Sequence, residues 1–314
     1  MPELLVVSAK GFSHEELLAQ FDQYLVEVRG ARPGTRNHFR RHVHEFLKTR
    51  FPSGNVEPYE LSPPDLFSYI AEHAAGGQPG RTKLAATALR SFLRYLVIRG
   101  DCDPSLVTSV PSAPRWKLSS IPKVLSEHQV AALMETFNRE TAIGLRDYAI
   151  TLCLARLGLR AGEVAHLLLD DVNWRSGSLR IQAEKNRRVS TMPLPRDVGA
   201  ALADYLRNGR PPTKERHLFV NHGRGSQKGM AMTSSAVRLV IRRAWERSGI
   251  QVPSKGTHTL RHTLASRMLR TGADLKQIAD VLRHRSFETT MVYMKVDLDR
   301  LTEVAQPWPE EVRI

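Results

Sequence analysis

Residues 111–125 read PSAPRWKLSSIPKVL, and three prolines in that spacing stop a regular helix or a central strand from running through. The stretch also lacks periodicity and carries several basic residues, the composition of a semi-extended linker. It divides the 314-residue chain into two parts, each long enough to bury a core of its own. We place a tail at 1–12, a helical domain at 13–110, the linker at 111–125 and a second domain with its C-terminal tail at 126–314.

The first part has helical spacing throughout. Ser13 and Glu16 form a capping-box pattern ahead of Leu18, Phe21, Leu25 and Val28. After RGARPGT, a second helix is expected from Thr35, with Phe39, Val43 and Phe46 on one side. SPPDLFSYIAEHA has the start signals of a third. A fourth is expected from about Arg81 to Ile98, with Leu89, Phe92 and Leu96 inward. The expectation is an all-helical unit of about four helices.

The second part changes period once. SEHQVAALMETF, RDYAITLCLARLG and RAGEVAHLLLDDV read as helices, the last ending before NWRSG. SLRIQAEKNRRVSTMPL instead alternates around a charged turn, which predicts a β-hairpin with Lys185 and Asn186 near its tip. Helical patterns resume in AALADYLRNG and SSAVRLVIRRAWERSG. THTLRHTLASRMLRTG and DLKQIADVLRH then form a close helix pair, punctuated by Gly272 and capped by Asp274. A last segment from Ser286 carries Tyr293. The fold class is mainly α with a small β-hairpin or sheet: an all-helical N-terminal domain and an α+β second domain.

Composition narrows the function. Two cysteines, Cys102 and Cys153, are too few for a disulfide framework or a four-thiolate metal site. The longest apolar runs, such as LLVV and YLVI, are too short to cross a membrane, and the opening residues lack a signal-peptide core. The expectation is a soluble protein of the cytoplasm, with no membrane partner. Lys and Arg number 46 against 32 Asp and Glu, a net charge of +14. Such an excess favours polyanions, because each neutralised phosphate releases condensed counterions. A basic protein with no nucleic-acid role is the bland alternative.

Four local features stand out, each with an ordinary explanation. Arg160 in GLRAGEV lies where one helix ends and the next begins, and could simply pair with Glu163. Lys185 at the hairpin tip could be a solvated turn residue. In HTLRH, the spacing of His258 and Arg261 puts both on one helix face, able to converge on an anion or to remain an exposed basic surface. His258 and His262 also have the i, i+4 spacing of a zinc helix, but Thr259 replaces the glutamate such a helix uses. His284 with Tyr293 could be an exposed histidine beside a core aromatic.

In this order, Arg160, Lys185, His258, Arg261, His284 and Tyr293 resemble the catalytic set of the tyrosine recombinase (phage integrase) family. LGLRAGEVAHLLLDDV, HTLRHTLASRML and DLKQIADVLRHRSFETTMVYMKV are similar in wording and spacing to that family's signature boxes, and the helical first part resembles its core-binding domain. Two departures stand out. Arg283 replaces the glycine of the usual Leu-Gly-His, and Glu184 replaces the glycine that usually precedes the hairpin lysine.

The resemblance implies a site-specific DNA recombinase in which the phenolic oxygen of Tyr293 attacks a phosphodiester, forming a 3′-phosphotyrosine and freeing a 5′ hydroxyl. Arg160 and Arg261 suit the non-bridging oxygens, since a guanidinium stays ionised and presents a planar fork of donors. A phenol of pKa about 10 needs help to ionise at neutral pH. His258 is the candidate base, His284 would orient the phosphate, and Lys185 would protonate the leaving oxygen. The ester retains the bond energy, so no ATP, metal or other cofactor is expected. The implied partner is double-stranded DNA carrying a specific site. A homo-tetramer would assemble there from a monomer or weak oligomer, with possible accessory proteins, and the two domains would clamp the duplex. Arg36, Arg40, Arg90 and Arg94 are candidates for DNA contact. Two other readings stay open: a helix-turn-helix DNA-binding protein without catalysis, and a type IB topoisomerase-like enzyme that relaxes supercoils without exchanging partners.

Overall fold

The computed structural model describes residues 11–77, 79–112, 122–182, 189–223, 225–252, 254–284, 286 and 288–296. Lys185, most of the expected linker and the stretch after 296 lie outside the described residues. The chain forms two compact units, Met1–Trp116 and Lys117–Ile314.

In the N-terminal unit the helices are α1 (His14–Glu27), α2 (Pro33–Arg50), α3 (Pro63–Ala75), α4 (Pro79–Arg99) and the short α5 (Ser105–Ser109). The Ser13–Glu16 capping box closes the start of α1, with the Glu16 backbone N–H donating to Ser13 Oγ at 3.2 Å and the Ser13 N–H to the Glu16 carboxylate at 2.9 Å. Helix α2 starts two residues before the expected Thr35, because Pro33 suits a first helical position whose N–H has no partner. Val28 was expected on the apolar face, but at the C-cap of α1 it points outward and is 67% exposed. Leu17, Phe21, Leu25, Val43, Phe46, Leu89 and Phe92 close the core. Phe92 meets Phe21 edge to face, with ring centroids 5.3 Å apart. One non-helical pairing interrupts the helices: β1 (Phe12–Ser13) runs antiparallel to β2 (Asn55–Val56).

The C-terminal unit is built around α7 (Ala142–Arg156), whose residues from Gly144 to Leu154 are buried except Tyr148. Its further helices are α6 (Glu127–Glu135), α8 (Ala161–Ala165), α9 (Arg196–Asp204), α10 (Ser234–Ser248), α11 (Thr257–Arg270), α12 (Leu275–Leu282) and α13 (Glu288–Met291). Helices α9 and α11 pack on α7. The expected hairpin is the antiparallel pair β4 (Ser178–Gln182) and β5 (Val189–Pro193), in register Leu179↔Met192 and Ile181↔Ser190. Leu179 and Ile181 are the inward residues of its alternation.

A third strand, β3 (Val172–Asn173), adds to β4, and the helix expected over RAGEVAHLLLDDV is only five residues long. A distant segment captures the backbone that would have continued it. Leu218 N–H donates to the Leu167 carbonyl at 2.7 Å, and Leu169 N–H to the Arg216 carbonyl at 2.9 Å. Among the described residues no helix is long and apolar enough to cross a membrane.

Phe92 is completely buried and packs against Phe21 of α1. Phe92→Ala should cost the N-terminal unit about 3–5 kcal/mol of stability, measured by urea unfolding. A loss below about 1 kcal/mol would show that the ring contributes far less to this core than its burial implies.

Candidate active site

Three short segments of the C-terminal unit converge. The first is the turn between α7 and α8. Gly158 adopts a left-handed backbone there (φ 59°), which favours glycine, and a Cβ at this position would sit 2.7 Å from Leu282 Cδ2, so a larger residue would also have to displace the end of that side chain. The turn delivers Arg160 to the N-cap of α8. Its Nη1 donates to Glu163 Oε1 at 2.7 Å and its backbone N–H to Glu163 Oε2 at 2.9 Å. The pairing with Glu163 that the sequence offered as an ordinary explanation therefore exists. The Arg160 side chain nevertheless remains 39% exposed, while that of Glu163 is 3% exposed.

The second segment is the start of α11, where His258, Arg261 and His262 share one face. Arg261 is buried, and its two terminal nitrogens donate to the carbonyls of Gly158 and Leu282. Burial, together with Arg160 and Arg283, pushes its pKa down to about 9, which leaves it cationic at neutral pH. His258 keeps an exposed edge. Desolvation of the rest of its ring, then Arg261, Arg160 and Arg238, lowers its pKa.

The third segment runs from the end of α12 to Tyr293, in the short 3₁₀ helix Val292–Val296 after α13. His284 Nδ1 lies 2.7 Å from the hydroxyl of the fully buried Thr290, and its ring stacks on Tyr293 at 6.2 Å between centroids, 10° from parallel. Burial first, then Arg261 and Arg160, bring the His284 pKa down to about 4. Tyr293 packs with Leu264, Ile278 and Leu282 and is 1% exposed. Its phenol pKa is raised, because burial outweighs the lowering by Arg261 and Arg160.

Arg160, His258, Arg261, His284 and Tyr293 thus lie in one cluster. Lys185 lies outside the described residues. The hydroxyl of Tyr293 does not meet His258, the candidate base. It lies 2.9 Å from His262 Nδ1, one helical turn farther along. Burial, followed by His258 and Arg261, lowers the His262 pKa as well. The same i, i+4 spacing that raised a zinc reading could have flagged His262, since it puts both imidazoles on the face that receives the tyrosine. Thr290 had no sequence signal.

The four arginines proposed for DNA contact belong to the N-terminal unit and differ in availability. Arg36 forms a two-pronged ion pair with Asp22, with Nε to Oδ1 at 2.9 Å. Arg90 donates to the carbonyls of Val110 and Pro111 and to Ser112 Oγ at 2.8–3.0 Å, which ties down the chain that leaves α5. Arg40 and Arg94 are exposed, although Arg40 Nη1 also lies 3.9 Å from Asp22 Oδ2. Among the described residues, the group with metal-ligand composition is His42, Glu45 and His73 in the N-terminal unit. There the Glu45 carboxylate sits 3.7 and 3.6 Å from the two imidazoles.

Residues 123–300 match the phage integrase family, and residues 18–100 match the N-terminal SAM-like domain of phage integrases. A putative integrase/recombinase, y4rA, of Sinorhizobium fredii is 40% identical over 299 residues, covering 95% of this chain and 72% of the relative. Tyrosine recombinase XerD of Listeria innocua is 28% identical over 298 residues, covering 92% and 97%. Among solved structures, a lambda integrase tetramer bound to a Holliday junction superimposes with a TM-score of 0.66 at 16% identity, covering 90% of this chain and 80% of the other.

The depressed histidines set a pH dependence. His284 titrates near 4 in the fold but near 6.5 when unfolded. Its contribution to stability is therefore complete above the unfolded value and is lost as pH falls towards the folded one. The melting temperature should drop between about pH 7 and about pH 5. His222, also pushed to about 4 by burial, shares this effect, so His284→Asn should reduce the drop without abolishing it. An identical pH profile in the variant would show that His284 does not contribute.

Proposed function

The chain belongs to the phage integrase family and is a site-specific DNA strand transferase, and from that premise we propose that Tyr293 is its nucleophile and that the surrounding cluster cleaves and rejoins DNA. The observation that carries the reading is the convergence of one tyrosine hydroxyl, an imidazole within hydrogen-bond distance of it and two arginines whose charge opposes the burial that raises its pKa.

Arg160 and Arg261 neutralise the non-bridging oxygens of the scissile phosphate, whose charge grows as the fifth bond forms. As phenolic oxygen attacks phosphorus, its proton passes to a neutral imidazole. His262 is the acceptor nearest to hand, and His258 on the same helix face serves once the hydroxyl has moved to the phosphate. His284 is aimed by Thr290 and contributes a hydrogen bond to a phosphate oxygen. The P–O5′ bond breaks as the P–O bond to tyrosine forms. The departing 5′ oxygen takes a proton from Lys185, and a 3′-phosphotyrosine remains. A 5′ hydroxyl from a second duplex reverses these steps and seals the exchanged strand, so the phosphodiester count is conserved without an energy source.

DNA is the partner, and the protein oligomerises on it. We assign the active assembly as a homo-tetramer on two recombination sites, formed from monomers or weak oligomers, with two rounds of exchange through a Holliday junction. The relative solved as a tetramer on such a junction supports this. The helical unit, assigned to 13–110, contributes phosphate contacts, with exposed Arg40 and Arg94 better placed for that work than Arg36 and Arg90.

Wild type and Tyr293→Phe, expressed in cells and stripped with denaturant, test the nucleophile. The wild type should retain covalently attached DNA of one recurrent sequence, and the phenylalanine variant none. An adduct that persists in the variant would move the nucleophile elsewhere.

A second measurement isolates Lys185. Lys185→Ala should slow cleavage of ordinary DNA by about 100-fold or more. It should cleave a substrate with sulfur at the 5′-bridging position nearly as fast as wild type, because a thiolate leaves without a proton. Equal slowing on both substrates would remove Lys185 from the acid's role.

A further inference from the structure

We propose that Arg283, which stands where the family's box carries glycine, is a positioning residue for cleavage: it holds the buried Glu163 carboxylate so that Arg160 can turn to the scissile phosphate. The inference rests on the reading of Arg160 as a phosphate ligand.

Arg283 is unusual in its backbone. It caps the end of α12 in the left-handed region, with φ 54° and ψ 47°. Among the described residues it is the one non-glycine with positive φ. Glycine meets that conformation at no steric cost, whereas a side chain strains it. A long charged side chain there must find compensation in what it contacts.

Its side chain is 12% exposed and ends inside the site. Nη2 donates to Glu163 Oε2 at 3.0 Å, Nη1 to the Val281 carbonyl at 2.8 Å, and Nη1 also lies 3.5 Å from Met192 Sδ on β5. Glu163 therefore has two cationic partners with different freedom. Arg160 is partly open to solvent, where DNA arrives; Arg283 is enclosed. Burial pushes the Glu163 carboxyl upward, but Arg283 and then Arg160 bring it below the ordinary carboxylate range, so it is an anion at neutral pH.

An incoming phosphate competes with Glu163 for the Arg160 guanidinium. With Arg160 as its sole cation, Glu163 would be left as an unpaired buried charge each time Arg160 turned away, which is among the costliest states a protein interior can hold. Arg283 removes that obstacle, because Oε2 keeps a charged partner throughout. It also neutralises the carboxylate, leaving the charge of both Arg160 and Arg261 for a phosphate whose own charge grows in the transition state.

Single-turnover adduct formation by the full-length protein tests the idea, on a nicked duplex carrying the sequence recovered in the covalent-adduct experiment. Arg283→Gly, which relieves the left-handed strain as it gives up the ion pair, should still fold and bind the duplex as well as wild type, yet form adduct about tenfold more slowly. Arg283→Lys, which keeps the charge, should recover part of the rate. The decisive comparison is the same substitution made in Glu163→Gln. A neutral amide needs no cation, so there Arg283→Gly should change the rate by less than about twofold. A wild-type rate in Arg283→Gly, or an equal loss in both backgrounds, overturns the proposal. Arg160→Ala is the companion measurement. If it cleaves at the wild-type rate, the reading of Arg160 fails and takes this inference with it. If Arg160→Ala is slow and Arg283→Gly is not, only the inference fails.

Discussion

The buried guanidinium of Arg261 is the constraint on which the rest of the site depends. One of its nitrogens holds the carbonyl of Gly158 in the turn that presents Arg160, and the other holds the carbonyl of Leu282 at the end of the helix that presents His284. A planar fork suits this task because its donors are fixed relative to one another, so the two carbonyls are positioned together. Gly158 eases the close approach, since an added Cβ would press on the end of the Leu282 side chain. An arginine expected to meet phosphate is also a clamp between loops far apart in the chain.

Electrostatically the site is a pocket of positive charge in which every histidine is kept neutral. His258, His262 and His284 all titrate below their ordinary value, because burial and the surrounding arginines disfavour an added proton. Fixed charge comes from guanidiniums, which do not lose their protons near neutrality, while proton movement is left to groups poised to accept one. This division of labour suits a phosphoryl transfer in which the ligands of the non-bridging oxygens hold their charge and the nucleophile must shed a proton.

Much of this was legible in the sequence. Helical spacing located the longer helices of both units but not the short α5 and α13, the single change of period located the hairpin, and the order of the arginines, histidines and tyrosine picked out residues that the fold brings together. What the sequence hid depended on contacts between distant segments. The short α8 stops because residues 216–218 capture its continuation. The tyrosine's partner is His262 because the 3₁₀ turn brings the hydroxyl under α11 at that level, which no local spacing specifies. Arg36 and Arg90 looked like free basic surface because their acceptors, Asp22 and the carbonyls of 110–111, lie 14 to 21 residues away in sequence.

The burial of Tyr293 bears on fidelity. A phenol that is 1% exposed and already hydrogen-bonded cannot reach a phosphate lying on the surface. The turn that carries it must shift first, and the cost of that shift is met before any bond is broken. If Tyr293 is the nucleophile, a duplex that dwells only briefly would depart during that delay, which would make residence time a criterion of selection alongside base sequence. With Tyr293 as the proposed nucleophile, the enzyme thus rests with that hydroxyl sheathed.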